Sequence, residues 1–138
     1  MTMSNFPFIR LSQALVLTRI MTAVFFMAHA VVRISNGTIP RFGAFMENAG
    51  FPQGVTIVWL ITLTELIAGT MLILGLYIRW TVVPLFAIAG TGIVLIHYQQ
   101  GWFVGEHGTG GSEYSVALMV LLLVVAAADR PTRARAFA

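Results

Sequence analysis

The chain has 138 residues, of which 58% are hydrophobic and only 9% charged, and its mean hydropathy is +0.87; this excludes an ordinary soluble domain. Eight arginines, no lysine and five acids give a net charge of +3, but basic residues beside apolar helices serve membrane topology, so the charge is no sign of nucleic-acid binding. The absence of cysteine excludes disulfides, iron–sulfur clusters, c-type haem attachment and a thiol relay within the chain.

A hydrocarbon core about 30 Å thick takes roughly 20 apolar residues in a helix. Four stretches meet or approach that length, at about 12–34, 54–77, 80–98 and 113–129. They predict an all-α, integral-membrane four-helix bundle, one transmembrane domain over 1–138. The first stretch contains Ala28-His29-Ala30, which has the small-x-small form of a signal-peptidase site, but Arg19 interrupts the apolar run and argues against a cleaved signal. Asn36-Gly37, Pro40 and Gly50-Phe51-Pro52 then break the helix. Phe42, Phe45 and Met46 in this loop suggest that part of it lies on the membrane interface or folds back. The second and third spans are joined only by Ile78-Arg79, which predicts a tight antiparallel hairpin. The loop from Gln99 to Gly111 carries Trp102, Phe103, Glu106 and His107. Its run Gly108-Thr109-Gly110-Gly111 has no preceding strand and no following lysine, so it is a turn into the last span and not a nucleotide loop. No repeat, low-complexity tract or second domain is visible.

Arginine placement predicts orientation. Arg10, Arg79, Arg130, Arg133 and Arg135 flank one face, and Arg33 and Arg41 the other. Both termini are therefore expected in the cytoplasm of a multi-pass protein of the plasma (inner) membrane, with the two long loops on the outer face.

Arg19 and Glu65 fall inside the first two spans, where each charge costs about 2.5–3.5 kcal/mol to insert. Counted from the cytoplasmic helix ends they lie about 10 and 18 Å deep, a gap that an arginine side chain nearly closes. A mutual Arg19–Glu65 ion pair is one expectation. The other is that Glu65 is a proton or cation site. Ser12, Arg19, Thr22, His29 and Arg33 share an arc of roughly 100° on the first helix, a face expected to meet other helices.

At the outer ends of the first, third and fourth spans stand His29 and Arg33, His97, and Glu113. Convergence of ionisable residues at one depth points to a site, with His97 and Glu113 as candidate catalytic groups. Glu113 also has a structural reading, an acid offsetting the helix dipole just after Ser112. Three chemistries are compatible with the cluster. His29 and His97 could ligate a b-type haem, although no supporting pattern accompanies them. His97, Glu106, His107 and Glu113 have metal-ligand character without diagnostic spacing, so no metal is assigned. A quinone headgroup would find donors and aromatic walls in His97, Trp102, Phe103 and Tyr114.

The chain resembles the DoxX family of small four-helix membrane proteins from about Leu17 to Asp129. Arg19 and His29-Ala30-Val31-Val32-Arg33 correspond to the family's first-helix arginine and its histidine-glycine-x-x-lysine end, with alanine and arginine replacing glycine and lysine. Glu65-Leu66-Ile67-Ala68-Gly69, Leu74-Gly75-Leu76 and Arg79 form a second block. His97, Gly101-Trp102-Phe103, Gly108 to Gly111 and Glu113-Tyr114 form the third. The family's serine-leucine-aspartate ending is reduced to Ala127-Ala128-Asp129. By the family's association with thiosulfate:quinone oxidoreductase and quinol oxidase subunits, the resemblance implies a quinone-interacting or accessory subunit of a membrane redox system. Membrane or redox protein partners, and an oligomer, are compatible with that role. The contrasting expectation is a non-enzymatic assembly, chaperone or small-solute-handling membrane protein. Without cysteine or a cofactor motif, the chain is not expected to be a complete oxidoreductase.

Overall fold

The computed structural model describes residues 8–105 and 110–129, and these residues are helical with no strand among them. The elements are α1 (Leu11–Ser35), α2 (Ile39–Asn48), α3 (Gly54–Leu74), α4 (Ile78–Gly92) and α5 (Glu113–Ala128). α4 continues through a π turn, Ile93–His97, and a 3₁₀ turn, Tyr98–Gln100. α1, α3 and the continuous helix Ile78–Gln100 are each long and apolar enough to cross a membrane, whereas α5 is shorter at 16 residues. Trp80 and Tyr98, 79% and 77% exposed, stand near the two ends of that continuous helix. Eighteen residues separate them, about 27 Å of helix, which places an aromatic residue near each boundary of a hydrocarbon core.

The turn-forming residues do what their chemistry requires. Gly37, at φ 60°, follows α1, and Pro40 sits in the first turn of α2, where a missing N–H costs nothing. α2 is the part of the first loop that folds back. It buries Ile39, Gly43 and Met46 against α3. A methyl group at Gly54 would collide with the Gly43 carbonyl, so the two backbones touch. The Glu47 carboxylate accepts the Gly54 N–H at 3.0 Å, satisfying one of the free donors at the start of α3.

α3 ends earlier than its apolar run. Gly75 adopts φ 73°, its N–H bonds to the Leu72 carbonyl at 3.2 Å and the Leu76 N–H to the Met71 carbonyl at 2.9 Å, a Schellman closure. Leu76 and Tyr77 prolong the hydrophobicity past the stop and hide it in the sequence. Gly75 to Tyr77 form the link, and Ile78 and Arg79, expected as the link, begin α4.

α1 packs on α3 and α5, and α4 on the same two helices, so the four long helices form a ring. Ala23, Phe26, Leu72, Leu85, Leu122 and Val125 are almost fully buried within it. These residues fill the half of the bundle nearest the α3–α4 turn. The opposite half has a second, smaller cluster of Ile39, Met46 and Val58 where α2 docks, and is filled less completely.

Candidate functional site

Beside this second cluster lies a cavity of about 500 Å³. Its polar lining includes His29 and Arg33 from α1, Glu65 from α3, His97 from the π turn, and Tyr114 and Ser115 from α5. Phe26, Phe42, Met46 and Phe51 contribute apolar wall, with Phe42 and Met46 supplied by the docked α2.

The charge inside the bundle is held by Arg33. Its Nη1 donates to Glu65 Oε2 at 2.8 Å and to Thr62 Oγ1 at 2.7 Å. The Thr62 hydroxyl in turn donates to the Val58 carbonyl at 2.7 Å. The two charged side chains are only 13% and 4% exposed. The Phe42 ring lies 5.5 Å from the guanidinium carbon, within cation–π range. Arg33 engages both oxygens through a single nitrogen. Its Nε and Nη2 make no hydrogen bond among the described residues.

The expected Arg19–Glu65 pair therefore does not form. Cα depth alone brought those residues together, but helical Cα–Cβ bonds tilt toward the helix N-terminus. Arg19 is thereby directed away from Glu65, and Arg33, near the C-terminal end of α1, is directed back into the bundle toward it. Arg19 reaches the C-terminal end of α3, where Nη2 lies 3.5 Å from the Ile73 carbonyl beside Gly75, a favourable place for a cation. Its Nε is buried without a hydrogen-bond partner among the described residues. Of the polar arc on α1, Thr22 is fully buried and Arg19 and Arg33 partly so, whereas Ser12 and His29 are exposed; for His29 the exposure adjoins the cavity it lines.

His97 owes its position to the π turn, in which the Tyr98 N–H bonds to the Ile93 carbonyl. Such one-turn widenings shift the register of the side chains beyond them. The imidazole folds back over Gly92, where an added Cβ would lie 3.9 Å from its Nε2. Its Nδ1 is buried beside Gly110 and has no hydrogen-bond partner among the described residues. The His29 ring lies 6.0 Å from the Tyr114 ring, and Phe25 packs edge-on to Tyr114 at 6.3 Å.

Four of the seven expected ligand-binding residues, His29, Arg33, His97 and Tyr114, thus line one cavity. Trp102, Phe103 and Glu113 do not line it. Glu113 instead organises the loop, its Oε1 accepting the Val104 N–H at 2.9 Å while its own N–H bonds to the Trp102 carbonyl at 3.0 Å. Trp102 and Phe103 are each 53% exposed. Gly111 lies so close to their carbonyls that a Cβ would overlap them, which accounts for glycine before α5. Glu106 and His107 lie outside the described residues, and among the described residues no three potential metal ligands gather. Glu65 in the same cavity as His29 and His97 is the feature that sequence reasoning placed elsewhere. The helical direction of Arg33 was the signal that would have found it.

These features define a helical membrane protein with a polar-lined cavity in one half of its bundle. The DoxX family profile matches residues 14–98, more than half of the chain, and the protein belongs to the DoxX family. The match takes in Arg33, Glu65 and His97 and stops before the Gly101 to Tyr114 block. Comparison with curated proteins and with solved structures returned no match.

Proposed function

We propose that the cavity receives the headgroup of a membrane-dissolved quinone and that the protein is a quinone-interacting or accessory subunit of a membrane redox system. The observation that carries this reading is the meeting of His29, His97, Tyr114 and the Arg33–Glu65 pair on one apolar-walled cavity. A quinone ring is flat and apolar with an acceptor oxygen at each end. The unengaged edge of Arg33 suits one oxygen, and an imidazole N–H suits the other. Arg33 favours the reduced, anionic ring, and His97 is the group suited to exchange its proton. Electrons come from a partner, since the chain has no cysteine.

In this reading α5 also spans the bilayer, both termini are cytoplasmic, and the cavity lies toward the outer face of the plasma membrane, as the arginine distribution favours. The test is extraction of quinone from protein purified out of native membranes, with His97→Ala and Arg33→Met compared. Quinone at near one per chain in the native protein, lost in both variants while the bundle stays folded, supports the proposal. Quinone at background level in the native protein would sink it. The alternative, an assembly or solute-handling role, is favoured only by the Arg33–Glu65 link as a clamp between α1 and α3. It predicts that the variants lose stability and nothing else.

A further inference from the structure

The cavity has a continuation. α3 and α4 part at the site, where Ile57 and Ile61 oppose Ile88 and Thr91 across the cavity. They part again toward their shared turn, where a groove of about 260 Å³ is lined by Thr64, Ile67 and Met71 of α3 and by Trp80 and Pro84 of α4. The two spaces adjoin on both walls: Ile61 and Thr64 are neighbours across one helical turn, and so are Ala87 and Pro84.

Both spaces open on the outside of the bundle. Ala87 and Thr91 line the cavity and are exposed; Ile67 and Trp80 line the groove and are 62% and 79% exposed. In a bilayer that side is hydrocarbon. Polarity is graded along the seam. The charged and imidazole groups all belong to the cavity, while the groove's polar groups are two threonine hydroxyls and, at its far end, the Trp80 indole N–H, and the hydroxyl of Thr81 already bonds to the Leu76 and Tyr77 carbonyls.

We propose that cavity and groove are one binding tract for a single-chain amphiphile, with its ring among His29, Arg33 and His97 and its alkyl or prenyl chain laid along the α3–α4 seam toward Trp80. This rests on the headgroup reading above and adds the chain to it. From Thr91 to Trp80 the seam runs eleven residues, about 16 Å of helix, which admits an extended chain. A chain gains little transfer energy on leaving lipid for the groove, because acyl chains are as apolar as leucine. What the groove supplies is close packing and alignment, which hold the ring at the depth of Arg33. A water-soluble solute would have no use for it.

The test uses the full-length protein in lipid nanodiscs with two probes, tetramethylbenzoquinone and a trimethylbenzoquinone bearing a decyl chain. Binding is expressed per mole fraction in the bilayer, so that partitioning cancels. The decyl probe is expected to bind more tightly. Thr64→Phe, which fills the groove, should abolish that advantage and leave binding of the tailless ring unchanged. Ile67→Trp, at an exposed lip of the groove, should act the same way and secures the test if Thr64→Phe does not fold. Equal binding of both probes, or an advantage that survives in the groove variants, overturns the tract and leaves the headgroup site standing. Failure of both probes to bind overturns both.

Discussion

Replacing Arg33 by methionine removes the only partner, among the described residues, of a carboxylate that is 4% exposed and lies 2.8 Å from its guanidinium. With the charges about 4 Å apart at an effective dielectric of about 20, their attraction is about 4 kcal/mol, and removing one partner of a buried pair costs about 3–5 kcal/mol. For a chain of this size that corresponds to a melting temperature lower by about 10–17 °C. Thr62 keeps its own bond to the Val58 carbonyl, so the loss arises from Glu65. Glu65→Gln is milder, because Arg33 retains the Thr62 hydroxyl and gains an amide oxygen. Combining Arg33→Met with Glu65→Gln leaves no buried charge and should recover most of the loss, a coupling of about 2–3 kcal/mol. Arg19→Met combined with Glu65→Gln should instead be additive within about 0.5 kcal/mol. Thermal unfolding in detergent, followed by tryptophan fluorescence with size-exclusion controls, measures both cycles. Coupling in the Arg19 cycle and none in the Arg33 cycle would refute the assignment of the pair.

Gly54→Ala drives a methyl group into the Gly43 carbonyl and should cost about 1–3 kcal/mol, seen as faster hydrogen exchange across α2. Gly92→Ala meets the His97 ring only at ordinary contact distance and should be silent in quinone extraction, whereas Gly92→Leu should displace the ring and lose bound quinone with the fold retained. Glu113→Ala frees the Val104 N–H and should speed proteolysis between Gly101 and Gly105 without altering quinone content; loss of quinone would restore Glu113 to the site.

Much of the architecture is a property of the sequence itself. Runs of leucine, valine and isoleucine long enough for a bilayer must satisfy their backbone internally, and helices do this with local bonds alone. Breaks at Asn36-Gly37 and Gly50-Phe51-Pro52 are equally local, since turn residues act through their own dihedral angles. Local chemistry also explains the exception at α3, whose end at Gly75 is a glycine stop masked by Leu76 and Tyr77. The convergence of His29, Arg33 and His97 was legible because residues at equivalent helix ends share a depth. Partner choice was not. Whether Glu65 meets Arg19 or Arg33 depends on the axial offset of α1 against α3 and on the tilt of each side chain toward its own helix N-terminus, and only packing sets the first. The separation of Glu113 from the cavity follows from loop hydrogen bonds to Trp102 and Val104 that no spacing rule contains. The cavity itself belongs to tertiary structure alone, because it is the space left where four helices, packed tightly around Leu72, Leu85 and Leu122 at one end, close less completely at the other.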